Sequence, residues 1–277
     1  MARVSWWRLA RDLRRAIRDD HIATGAAALA FYWMLSLFPA AILLLTVLAY
    51  LPIPHLERAI MALVRDALPP DAAALFRGVV ESVTSHRRGG LFSLGLGLTA
   101  WSSASGIHAL MHELNVVWDV AERRSFWRRR TVALLVAFSF GVLIIGAFVL
   151  VIFGHAMQRR LGHAVALDRL LLLSLATLRW VVVCAALLLG LALTYHFGPD
   201  VDRRFRLLSP GSLLGVIMLV AASAGFQLFV SRVGRFDLTY GSLAAAITLM
   251  LWLYLAGWAI LLGAELDATL ASYRRRR

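Results

Sequence analysis

The chain contains no lysine: all 29 of its basic residues are arginine, set against only 16 aspartates and glutamates. Charged residues make up 16% of its 277 positions and hydrophobic ones 60%, with a mean hydropathy of +0.74. A water-soluble domain carries roughly 25% charged and about 45–50% apolar residues. This chain has too few charges to cover a water-facing surface, so the solvent its composition calls for is a lipid bilayer. The same apolar excess excludes intrinsic disorder and collagen-like or disulfide-scaffold classes. A lone cysteine, Cys184, cannot close an internal disulfide and carries no information on redox compartment. Also missing are a nucleotide loop of P-loop or GxGxxG type, a nucleophile elbow, a zinc-protease helix and paired CxxC motifs. No enzyme is therefore expected, and no cofactor or metal is called for.

What is present is a series of long runs almost free of charge. About 20 apolar residues in a helix cross the hydrocarbon, and six runs reach that length: between Asp20 and Glu57, between Arg88 and Glu113, between Arg130 and Arg159, and over 170–197, 207–231 and 238–264. The spacing predicts an all-α polytopic membrane protein, six transmembrane helices in one bundle, with residues 1–277 as a single membrane domain. The basic start followed by an apolar run also fits a signal peptide, but the run from Ile22 to Pro54 far exceeds an h-region of about 7–15 residues, so the first span is expected to stay.

A net charge of +13 invites a nucleic-acid partner. Arginine placement answers it. The N-terminal segment, the 123–130 and 203–206 links and the tail hold 18 arginines, whereas the alternate segments hold 10. Arginines gather at the cytoplasmic ends of membrane spans, so this asymmetry places both termini in the cytoplasm and leaves no excess that needs a nucleic acid. The expected address is the bacterial inner membrane, multi-pass. Residues 3–18 read as a cytoplasmic interfacial helix, with Trp6, Leu9, Leu13 and Ile17 at helical spacing and arginines over the rest. Membrane lipids are its natural partner. Residues 53–88 read as an outer-face amphipathic segment broken at Pro69 and Pro70.

Several spans carry residues unusual for a lipid-facing helix. In the first, Ser36 precedes Pro39, whose ring frees the carbonyl of Leu35 and predicts a kink or local opening, useful to a transporter or simply to packing. In the second, Trp101, Ser102, Ser103 and Ser105 either allow close helix approach or line a polar path. His108 and His112 share a face beside Glu113, but no third ligand stands at metal spacing. Glu265 near the end of the sixth span must face protein or water, with the arginines of the 123–130 link as candidate partners. Arg179 lies inside the fourth span, where it can snorkel or hold an anion. Gly211 and Gly215 form a GxxxG suited to tight contact, within one chain or between copies.

Three stretches together resemble the YihY/BrkB family of bacterial inner-membrane proteins, some once labelled ribonuclease BN. They are AAALAFYWMLSLFPA, the run LTAWSSASGIHALMHELNVVWDVAERRSFWRRR, and the block from SPGSLLGVIMLVAASAGFQLF to TYGSLAAAITLMLWLYLAGWAILLGAELDATL. The resemblance implies a membrane protein concerned with cell-envelope lipids or export. Ribonuclease activity is not expected, because the cytoplasmic pieces are rich in arginine and poor in metal-binding clusters. The expectation is a transporter or flippase-like protein for an amphipathic or anionic, lipid-like substrate. Ser36, Pro39, Trp101, Ser102, Ser103, Ser105, Tyr240 and Glu265 would line or gate its path, and Arg123, Arg124 and Arg179 would contact headgroups or anions. The alternative is a non-transporting scaffold that docks a second copy or an envelope partner protein.

Overall fold

A computed structural model describes residues 6–49, 89–143, 146, 169–233 and 243–275 of the chain. The segment expected on the outer face at 53–88, the whole of Tyr240 and the side chains of Ser103 and Arg179 lie outside the described residues. Within them the protein is all helix, with no strand among the described residues: α1 (Trp6–Asp19), α2 (Ile22–Ala49), α3 (Gly89–Val117), α4 at 126–143, α5 (Arg169–Phe197), α6 (Pro210–Val233) and α7 (Leu243–Arg275). Three windows are long and apolar enough to cross a membrane, Trp180–Phe197, Pro210–Val230 and Ala246–Tyr273, and α2 holds a shorter one over Ile22–Leu37. α2 stays helical through Pro39.

The helix ends follow from local chemistry. α3 closes with Asp119 in the left-handed region at φ 49°. The Val120 amide donates to the Asn115 carbonyl at 3.0 Å and the Asp119 amide to Val116 at 2.9 Å, the paired bonds of a Schellman cap. His21 takes the same conformation, φ 50°, between α1 and α2. α6 opens on Ser209-Pro210-Gly211-Ser212. The Ser212 amide donates to Ser209 Oγ at 2.9 Å and the Ser209 amide to Ser212 Oγ at 3.0 Å, while Pro210 fills the first helical position, where no amide hydrogen is needed.

The chain forms two compact units. Unit 1 comprises Met1–Ala23, Met111–Ala221 and Trp258–Arg277, and so holds α1, α4 and α5 whole, the first residues of α2, the C-terminal end of α3, the N-terminal half of α6 and the C-terminal half of α7. Its centre is a three-helix contact. Tyr195 of α5, fully buried, donates its hydroxyl to the Ile260 carbonyl of α7 at 2.6 Å. Gly211 and Gly215 of α6 meet Gly263 of α7 so closely that a methyl group on Gly263 would fall 2.5 Å from both the Gly211 carbonyl and the Tyr195 hydroxyl. The GxxxG therefore joins helices of one chain. α1 is held here too, by a hydrogen bond from the Tyr273 hydroxyl to Asp12, and Leu9 is buried.

Unit 2 comprises Thr24–Leu110 and Ala222–Gly257. Its described core is built from small side chains, Ala26, Ala30 and Ala104, with Leu29 and Leu110. Gly257 sits against the Ala26 backbone at 3.3 Å from where its Cβ would be. The Trp33 indole donates to the Gly106 carbonyl at 3.1 Å, joining α2 to α3, and the Trp252 indole donates to Ser223 Oγ at 3.3 Å, joining α7 to α6. Large apolar side chains point outward on several helices, among them Leu135 and Phe138 on α4, Trp180 on α5 and Ile217 on α6, as expected where lipid is the solvent.

The glycine contact generates a paired prediction. Gly263→Ala forces α6 from α7 and should destabilise the purified protein by about 1–3 kcal/mol, the usual cost of overpacking. Gly225→Ala, which meets nothing within 4 Å, should leave the melting temperature unchanged or slightly raised. Thermal unfolding followed by gel filtration in detergent reads both.

Candidate functional site

The polar side chains of unit 1 form three groups around the helix ends. The first is built on Arg124, in the connection between α3 and α4. Its side chain is 8% exposed, and Nε and Nη2 clasp the two oxygens of Glu122 at 2.7 and 3.0 Å. Nη1 and Nη2 also donate to the carbonyls of Phe197 and Gly198 at 3.0 and 2.7 Å, which caps the negative end of α5 with a cation. Asn115 completes the ring. It donates to Glu122 at 3.0 Å and accepts from the Asp200 amide at 2.7 Å, and Asp200 in turn accepts from the Arg123 amide at 2.8 Å. Burial pushes the Glu122 carboxyl up, but hydrogen bonds from Arg124 and Asn115 and the Arg124 charge outweigh it and hold Glu122 below the usual carboxylate range.

The second group is Asp267, Arg203 and Trp118. Asp267 of α7 accepts from the Gly211 amide of α6 at 2.8 Å, answering one of the unpaired donors that every helix start exposes. Arg203 approaches the other Asp267 oxygen at 3.8 Å and lies over the Trp118 ring at 4.6 Å. Burial pulls the Arg203 guanidinium below its ordinary value, partly offset by the Asp267 charge.

The third group is Glu265, 2% exposed, with Thr269 on α7 and Asp20 in the turn between α1 and α2 as its polar neighbours. An arginine from the 123–130 link was the expected partner; the charged group beside Glu265 is instead a second acid. The link's Arg124 is held by Glu122 and Asp200.

The other residues singled out by sequence are dispersed. Ser36 is half-buried, donates to the Trp33 carbonyl of its own helix at 3.1 Å, and lies against Gly106, where a Cβ would come within 2.6 Å of its hydroxyl. Pro39 and Ser105 are half-buried, while Trp101 and Ser102 are exposed. The Arg123 side chain is exposed, whereas that of Arg124 is bonded internally. Among the described residues no group of three His, Cys, Asp or Glu side chains is placed to hold a metal ion, and His112 is exposed. Sequence reading missed Asp20, Asn115, Glu122, Asp200 and Arg203 as site residues. For the three acids the signal is scarcity: with only 16 acids in the chain, each one bordering a span was a candidate partner for an arginine or a helix end.

The profile of the family described as Virulence factor BrkB matches residues 13–277. The chain belongs to the BrkB family. Its BrkB-family relatives include the ribonuclease-like protein YfkH of Bacillus subtilis, 33% identical over 247 residues and 88% of each chain. Two others carry the name UPF0761 membrane protein. That of Verminephrobacter eiseniae is 28% identical over 275 residues, which cover 98% of this chain and 64% of the relative, and that of Photobacterium profundum is 24% identical over 271 residues, 95% and 81%. The chain thus spans less than two thirds of the Verminephrobacter protein. No solved structure matches the chain. Family and apolar helices together identify a membrane protein of the BrkB/UPF0761 group.

The Arg124 ring predicts a pH dependence. Glu122 titrates below its unfolded value, so its stabilisation is complete above the ordinary carboxylate range and is lost as pH falls through the lowered value. Glu122→Gln should lower the melting temperature at neutral pH, and its difference from the wild type should close on acidification; an unchanged difference at acid pH would place the effect elsewhere.

Proposed function

We propose that this BrkB-family chain crosses the bacterial inner membrane six times, with both termini in the cytoplasm, and moves or accommodates an amphipathic, anionic, lipid-like molecule among its helices. The observation that supports this topology is the alternation of arginine along the chain: the N-terminal segment, the 123–130 and 203–206 links and the tail hold 18 arginines, and the alternate segments hold 10.

Within this reading Ser36, Pro39, Trp101, Ser102, Ser103, Ser105 and Tyr240 line or gate the path, with Glu265 at its inner end. The support is that Trp101 and Ser102 are exposed and Ser105 is half-buried on a helix whose neighbours expose aliphatic side chains. Arg123, whose side chain is exposed, suits an anionic headgroup better than Arg124, and Arg179 is kept as a further anion contact. The scaffold alternative loses one of its docking surfaces, because Gly211 and Gly215 are already occupied by Gly263 and Tyr195. The ribonuclease-like name belongs to the Bacillus relative; among the described residues no group of three His, Cys, Asp or Glu side chains is placed to hold a metal ion.

The test is reconstitution into vesicles with a fluorescent acidic phospholipid and a membrane-impermeant quencher. Wild-type protein should expose inner-leaflet lipid to the quencher, and Glu265→Gln, folded by gel filtration, should reduce the rate at least tenfold, on the order of 1.4 kcal/mol in barrier. Protection equal to that of protein-free vesicles for the wild type would refute lipid movement. Full activity of Glu265→Gln would remove that residue from the path.

A further inference from the structure

Glu265 is almost fully buried, and its Oε2 has no hydrogen-bond donor in reach. A carboxylate removed from water without a donor is unstable, and the usual remedy is a cation or a proton. Among the described residues no cation is paired with it. The groups that interact with Glu265 are the Asp20 carboxyl, across the helix boundary, and the Thr269 hydroxyl one turn along α7. Two ionised carboxyls are both acceptors only, so they make a hydrogen bond when, and only when, one of them carries a proton.

We propose that Asp20 and Glu265 form a proton-binding site, one proton held between the two carboxyls at the junction of the α1–α2 turn with α7. Glu265 is the buried end and Asp20, half-buried, is the end that exchanges with water. The other charged groups that face the pair favour holding the proton: Asp19 on the same turn and Asp119 on the connection after α3 add negative charge, against His21 alone on the opposite side. Burial, first, and these acids raise the Asp20 carboxyl above its ordinary value. A divalent ion is a poor fit, since it would require more oxygen or nitrogen ligands than two carboxyls and a hydroxyl offer, and among the described residues no third metal ligand is placed there. When the proton leaves, two like charges stand at contact distance in a buried site, and their repulsion separates the turn from α7. A site of this kind deepens the transport reading by naming its coupling ion, the proton. The site itself rests on the burial and pairing of the two acids, and only its use rests on that reading.

Infrared spectroscopy of the full-length protein in lipid nanodiscs tests it directly. At neutral pH the wild type should show a protonated carboxyl stretch that shifts in heavy water and is lost on titration to alkaline pH. Glu265→Gln and Asp20→Asn should each abolish that band, and either variant alone suffices if the other does not fold. A spectrum identical at neutral pH in wild type and variant would overturn the proposal. So would loss of the wild-type band on adding sodium at constant pH, which would make the pair a cation site. A wild type that shows the band but moves no lipid would refute the transport reading and leave the proton site standing.

Discussion

Charged groups in a low-dielectric medium must be answered by the protein, and that constraint organises everything polar in this chain. With 16% charged residues and long apolar helices, the molecule can place acids and arginines only where helices end or where a partner waits. Unit 1 collects those places. Arg124 closes the end of α5 and binds Glu122, Asn115 ties that pair to Asp200, and Asp267 closes the start of α6. The bonds to the Phe197 carbonyl and from the Gly211 amide satisfy backbone groups that helix ends leave open, so contacts that neutralise charge also fix how the helices meet.

Glycine makes this possible. The Asp267 carboxylate reaches the Gly211 amide because α6 and α7 touch through Gly211, Gly215 and Gly263, with the Tyr195 hydroxyl filling the seam. Unit 2 relies on another device, indole donors from Trp33 and Trp252 to a backbone carbonyl and a serine on the neighbouring helix, over a core of alanine and leucine. In both, close approach of backbones takes the role that a hydrophobic core plays in water, since lipid is as apolar as leucine. Against this background the acid pair of Asp20 and Glu265 stands apart: it is the place where proximity by itself satisfies nothing and a proton is needed.

The helical class and the membrane environment were legible in composition and in run length, because bilayer thickness converts directly into residues. The close-packing role of Gly211 and Gly215 was legible too, but the choice between one chain and two copies was not, since it depends on Gly263, 48 residues beyond Gly215. Pairings were the illegible part. Arg124 meets Gly198 and Gly211 meets Asp267 across separations of 74 and 56 residues, which no periodicity encodes. Glu265 was expected to face protein or water, and it is buried, yet opposite-charge reasoning gave it the arginines of the 123–130 link as candidate partners. Arg124 was taken by an acid two positions before it, and the left-handed turn at His21 brings Asp20 there instead.

The account holds that the arginine-rich α3–α4 connection faces the cytoplasm. One measurement decides it: label a single cysteine at Ser125, exposed in that connection, in a Cys184→Ala background, using a membrane-impermeant maleimide. The account predicts protection in intact cells and labelling in inverted membrane vesicles. Labelling in intact cells would contradict it.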